Sequence, residues 1–163
     1  MPTPSDLNAI FREFAGAFVG SVTSDVAVAF PDRVPRTRLC GSLESLHFVD
    51  AYLAYVHKHR RGLSDQCWSI TVLRVGAYVG EAIRHAAPDG ALNWIDYDDY
   101  MATHPTMRPL IPERTAATCA FLLLSTGYMS MPLNKVARFI AEGREHSVHR
   151  FATSSLNRVP CGR

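Results

Sequence analysis

Cys67–Trp94, CWSITVLRVGAYVGEAIRHAAPDGALNW, is the stretch whose reading decides the fold. Trp68, Val72, Val75, Val79, Ala82, Ile83 and Ala86 recur at steps of three and four residues, which places them on one side of a 3.6-residue spiral and predicts that this side is buried. Arg74, Tyr78, Glu81 and His85 follow the same spacing on another side, so a polar stripe runs beside the apolar one. Ser64 and Asp65 supply an N-cap and a first-turn acid, and Pro88 with Asp89-Gly90 forbids continuation. The segment therefore reads as a buried helix, a sharp turn and a strand beginning before Trp94. Gly76 and Gly80 each cost a helix roughly 1 kcal/mol relative to alanine. Their presence predicts that another element approaches closely at this notch.

Working outward, Thr3-Pro4-Ser5-Asp6 carries helix-start signals, and Leu7, Ile10, Phe11, Phe14 and Phe18 form an apolar stripe, so a first helix is expected from Pro4 to Val19. Asp25–Phe30 alternates weakly and is expected as a short strand, and Pro31–Gly41 as an exposed connection. A second helix opens at Ser42, with Leu43, Leu46, Val49, Leu53 and Val56 on its apolar side, broadened by Phe48, Tyr52 and Tyr55. Gly62 ends it, and the short link to Ser64 predicts an antiparallel hairpin with the third helix. After Trp94 the segment IDYDDYM reads as strand running into loop, and Thr103–Pro112 carries three prolines, so a mobile loop is expected near 97–113. Thr115–Ser125 is read as a buried strand, with a helix left open because so short an apolar run has no decisive period. Helices are expected from Pro132 to Gly143 and from Arg144 to Leu156, with a frayed tail near 157–163. The expected fold class is α+β: four to five helices, with a central antiparallel helix pair packed on a two- to three-stranded sheet, in a single globular domain spanning 1–163.

The 163 residues are 47% apolar, enough for one core, and the formal net charge is +2. That charge is too mild to predict nucleic-acid binding, and Lys58-His59-Arg60-Arg61 is read as a helix C-terminus, where cations favour the dipole. Cys40, Cys67, Cys119 and Cys161 are isolated from one another, so no zinc-finger or thioredoxin spacing is present and a reduced, cytoplasmic protein is expected. No signal peptide is visible, and the most apolar run, Ala116–Leu124, is under half of a membrane span. No membrane partner is expected.

GAYVGEAIRH at Gly76–His85, followed by a glycine-containing turn and Trp94, is similar to a pattern in small uncharacterised bacterial proteins in which a Gly-x-Tyr-x-Gly-Glu helix precedes a Gly/Trp strand. SLESLHFVDAYL, upstream, resembles the short helix that those proteins place before it. The likeness covers Ser42–Trp94 and departs at Ala91-Leu92-Asn93, which separates Gly90 from Trp94. It implies a bacterial α+β domain and carries no activity.

Glu81 and His85, one helical turn apart, are the candidate carboxylate and imidazole, and His47 with Asp50 on the neighbouring helix completes a four-group set suited to a metal or a proton. Glu81 and His85 follow neither the HExxH nor the ExxH spacing of known metal helices. A local pairing of Glu81 with Arg84 or His85 at the surface is the simpler reading, worth about 0.3–0.5 kcal/mol. Asp96-Tyr97-Asp98-Asp99 fails as a calcium loop, because Met101 and Met107 stand where glycine and glutamate are required. His146 and His149 read as surface residues. Nucleophile elbows and phosphate loops are absent, and Cys40, before a helix start, is the one thiol that position favours for ionisation.

The expected function is that of a non-enzymatic bacterial protein-interaction domain, such as a toxin-neutralising immunity protein or a self-associating accessory protein. Its partner is another protein or a second copy of the chain, and no cofactor or metal is expected. The expected interaction surface is Tyr97, Asp98, Asp99, Tyr100, Met101 and Met107, since tyrosine and methionine are enriched at interface cores. The alternative is a metal-assisted hydrolase using Glu81, His85, His47 and Asp50. A third reading is a ligand domain with its pocket between the third helix and the strand at Trp94.

Overall fold

The computed structural model describes residues 3–160. Within them lie α1 (Pro4–Val19), α2 (Leu46–Lys58), α3 (Asp65–Ala86), β1 (Leu92–Asp96), α4 (Tyr97–Thr103), β2 (Ala120–Leu124), β3 (Met129–Ser130), α5 (Pro132–Glu142) and α6 (Val148–Leu156). The fold is α+β with a three-stranded antiparallel sheet, and its six α-helices and five short 3-10 turns exceed the expected helix count.

Local signals set the helix ends. Thr3 and Asp6 form a reciprocal capping box on α1, and the Ser64 side chain accepts from the Cys67 N–H to open α3. The close approach at the α3 glycines is present. A Cβ on Gly76 would lie 2.8 Å from the Leu133 Cα of α5, and one on Gly80 would overlap the Trp94 ring. α3 is thereby clasped between α5 and β1, with α1 on a further side.

The expected hairpin is not the centre of the molecule. α2 packs chiefly on α5 and α6, and α3 chiefly on α1 and α5. Two groups are wedged between α2 and α3. Phe18 of α1 meets both Tyr52 and Tyr78, with centroids 5.7 and 5.6 Å away. The peptide at Ala29 receives the Tyr52 hydroxyl at 2.6 Å on its carbonyl and donates its N–H to Thr71 Oγ1 at 2.8 Å. The same wedge explains why Asp25–Phe30 is not a strand. The backbone groups of Val26 and Ala29 are satisfied by side chains, including Arg74 on the Val26 carbonyl, rather than by a neighbouring strand. α2 itself begins at Leu46, because Ser42 and Ser45 spend their hydroxyls in a turn ahead of it.

β2 pairs with β1 so that Trp94 faces Leu122, and it also pairs with β3. Ala120, Leu122 and Leu124 enter the main core, whereas Phe121 joins a second core with Tyr97, Tyr100, Met101 and Ile111. Burial on both faces accounts for the continuous apolar run of this strand. The outer edge of β1 is covered by α1: Asn8 Oδ1 accepts from the Trp94 N–H at 2.9 Å, and Asn8 Nδ2 donates to Asn93 Oδ1 at 2.8 Å.

The expected mobile loop at 97–113 is instead α4 and the turn Pro105–Met107, folded over the second core. At the other end, Asn157–Pro160 continues from α6 through a hydrogen-bonded turn that buries Val159, so the frayed tail is not seen there. Residues 161–163 lie outside the described range. No helix among the described residues is long and apolar enough to cross a membrane.

Candidate functional site

The polar stripe of α3 turns inward at Glu81. This carboxylate is 3% exposed and accepts two hydrogen bonds from Arg84 Nη1, at 2.7 and 3.0 Å, and one from the Trp94 indole N–H at 2.9 Å. Arg84 in turn donates to the Leu92 carbonyl at 3.1 Å. The pairing with Arg84 is that expected from the spacing, but it is buried, not superficial, and the indole is the partner that spacing cannot reveal. Trp94 is stacked on Phe11 at 3.9 Å, so the space between α3 and β1 proposed for a ligand is filled by side chains.

His85, one turn on, is exposed at the rim of a cleft of about 310 Å³ between α1, α3 and the Leu39–Gly41 segment. Glu81 lies at the cleft's inner end beside Tyr78. The Tyr78 hydroxyl accepts from the Gly41 N–H at 2.9 Å and shares a 2.7 Å bond with Ser45, and burial raises its pKa. Cys40 is exposed at the same rim, and a hydrogen bond from Ser42 holds its thiol below the ordinary value.

His47 and Asp50 belong elsewhere. Asp50 braces the start of α6, accepting from the hydroxyl of its N-cap Ser147 at 2.6 Å and from the Val148 N–H at 2.7 Å, and His47 stacks on His149 of α6 at 3.7 Å. They border a separate hollow with Arg144 and Phe139. The four candidate residues therefore form two sites, not one ligand sphere.

Among the described residues, Glu142, Glu145 and His146 are the one group whose ligand atoms gather within 4.8 Å. His146 is buried, contrary to the surface reading. Lys135 Nζ lies 3.3 Å from its Nδ1 and donates to it, which leaves Nε2–H to donate to Glu142 at 2.5 Å. Arg138 and, secondarily, His146 hold the Glu142 carboxyl below its usual range. Two resident cations make this a hydrogen-bonded network in which a metal ion meets like charge.

The expected interaction surface is largely interior. Tyr97, Tyr100 and Met101 are 3%, 4% and 1% exposed, because one face of α4 sits on Phe121. The Tyr97 hydroxyl donates to the Ile111 carbonyl at 2.9 Å and pins the following turn. Asp98 is exposed, whereas Asp99 and Met107 are half-buried.

A different surface stands out along α2. Phe48, Tyr55 and His59 are spaced to share one side of the helix over roughly 16 Å. The Arg38 guanidinium lies over the Phe48 ring at 5.4 Å and that of Arg33 over Tyr55 at 4.7 Å, while His59 packs on Tyr55 at 4.1 Å. Phe30 adopts a left-handed backbone (φ 47°), uncommon for an aromatic residue, immediately before the Pro31–Arg33 turn, and its ring meets Tyr55 at 5.2 Å. Lys58, Arg60 and Arg61 extend the row, and none of these five cations pairs with an acid among the described residues. Arg60 does donate to the His57 carbonyl at 2.7 Å, the helix-end role its position predicts. The readable signal for this ridge was three arginines in Pro31–Gly41 facing an aromatic pair seven residues apart.

Comparison with protein-family models, with curated proteins and with solved structures found no match.

Proposed function

We propose that the chain is a non-enzymatic bacterial protein-interaction domain whose working surface is the cationic and aromatic ridge of α2, and whose partner presents an acidic face. The observation that carries this reading is the row of unpaired guanidinium groups laid on aromatic rings. Stacking fixes each guanidinium plane while leaving its N–H edges free for bidentate bonds to carboxylates. Such a surface repels its own copy, which favours a different protein over self-association. An immunity protein is one member of this class, and an acidic target suits the charge of this ridge.

The Gly76–Trp94 motif supports the same conclusion from the other side. Gly76 admits Leu133, Gly80 admits Trp94, Tyr78 holds Gly41 and Ser45, and Glu81 holds Arg84 and Trp94. Each position has a packing or hydrogen-bonding duty, and the quartet required for metal-assisted hydrolysis is divided between two sites.

The test is calorimetric titration of the purified chain with the products of adjacent genes, repeated with Arg33→Glu/Arg38→Glu. Binding that falls at least tenfold in the variant and weakens as salt rises supports the reading. Binding indifferent to the charge reversal, equal binding of single-stranded DNA, or stoichiometric zinc in the purified protein overturns it.

A further inference from the structure

The cleft between α1, α3 and the Leu39–Gly41 segment has a mostly apolar lining. Ala15 and Val19 of α1, Ala82 of α3 and Leu39 of the connecting segment supply apolar walls around a volume of about 310 Å³, at the lower end of the range for small-molecule sites. Its inner polar groups are already engaged. Glu81 is neutralised by Arg84, and the Tyr78 hydroxyl is bonded on both sides. At the rim the opposite holds: Arg12 and His85 are exposed and make no hydrogen bond or ion pair with another described residue. An apolar hollow with a satisfied floor and an unengaged guanidinium and imidazole at its mouth is complementary to a molecule with an apolar body and one anionic group. Glu44 borders an adjoining hollow that shares His85, and Glu81, the acid of the cleft itself, is held by Arg84, so Arg12 is the cation free of an acidic partner.

We infer that this cleft is a binding site for a small amphipathic anion, with the apolar body against Ala15, Val19, Leu39 and Ala82 and the anionic group held by Arg12, assisted by His85. Different residues carry this site and the α2 ridge, so either can fail alone. Cys40, exposed at the mouth, is a built-in reporter of occupancy.

The probe is anilinonaphthalene sulfonate, which joins an aromatic body to one sulfonate, compared with its uncharged congener N-phenylnaphthylamine. The expected result is one saturable sulfonate site per folded chain. Arg12→Glu should weaken it at least tenfold, while N-phenylnaphthylamine binding changes less than twofold. Bound sulfonate should also slow iodoacetamide alkylation of Cys40 several-fold, read by peptide mass spectrometry. Arg12 is exposed, so the variant is expected to keep the wild-type melting curve. Absence of a saturable site, equal sulfonate affinity in Arg12→Glu, or an unchanged rate of Cys40 alkylation overturns the inference.

Discussion

Replacing Glu81 by alanine removes the shared acceptor of the Trp94 indole N–H and the Arg84 guanidinium, and leaves both donors in place. The two side chains of the ion pair are 4% and 16% exposed for Glu81 and Arg84, so water reaches the remaining charge only partly. Breaking a buried pair by deleting one partner costs about 3–5 kcal/mol, most of it the uncompensated charge and the orphaned donor. In a domain of this length each kilocalorie moves the midpoint of thermal unfolding by about 2–4 °C, giving an expected fall of roughly 6–20 °C. Glu81→Gln keeps an acceptor for the indole but loses the charge, and is expected to cost about 1.5–3 kcal/mol. Combining Glu81→Ala with Trp94→Phe removes the orphaned N–H, so the double variant should be about 1–2 kcal/mol more stable than the sum of the singles. Urea unfolding followed by far-ultraviolet circular dichroism measures all of these without relying on Trp94 as the probe. A loss below about 1 kcal/mol in Glu81→Ala would show that the carboxylate is not part of the scaffold and is free to serve as a reactive group.

Gly76→Ala sets a methyl against both the side-chain end and the backbone of Leu133 in α5, so side-chain movement alone cannot relieve the overlap, and it is expected to cost about 1–3 kcal/mol by chemical denaturation. Asp50→Ala removes the acceptor of the Ser147 hydroxyl and the Val148 N–H at the start of α6 and should cost about 1–2 kcal/mol while leaving the metal content of the purified protein unchanged. Burial raises the phenol pKa of Tyr52 and Tyr78, so the folded state keeps protons that the unfolded state releases from about pH 10 upward. Stability is therefore expected to fall as pH rises above that value, and denaturant titrations between pH 9 and 11, a window set by the ordinary phenol pKa of about 10, should show a shallower fall in Tyr52→Phe.

The main helices were legible because their determinants lie within a turn of the residues they act on. The Thr3/Asp6 box, Ser64 ahead of α3 and Gly143 after α5 each cap their own backbone, and the expected spans of α1 and α3 agree with those found. The α3 glycines announced a close neighbour without naming it. Local pattern failed where one segment carried two signals. The prolines around Thr103–Pro112 suggested an excursion, but Tyr97, Tyr100 and Met101 share a face of α4 and find Phe121, the alternate face of a strand twenty residues further on. Similarly, the two-face burial of β2 erased the period that separates strand from helix.

The sequence by itself determined the α+β class, the bounds of α1 and α3, and the need for a contact at Gly76 and Gly80. Only the tertiary structure decided that Glu81 is held by Trp94, that Asp50 and His47 serve α6 instead of joining Glu81 and His85, and that Phe18 and Ala29 part α2 from α3. It alone laid Arg33 on Tyr55 and Arg38 on Phe48. Caps and periodicities act over a few bonds and are written in adjacent residues. Which distant side chains meet is settled by closing loops around a common core, where the free energy of a pairing depends on everything else packed beside it.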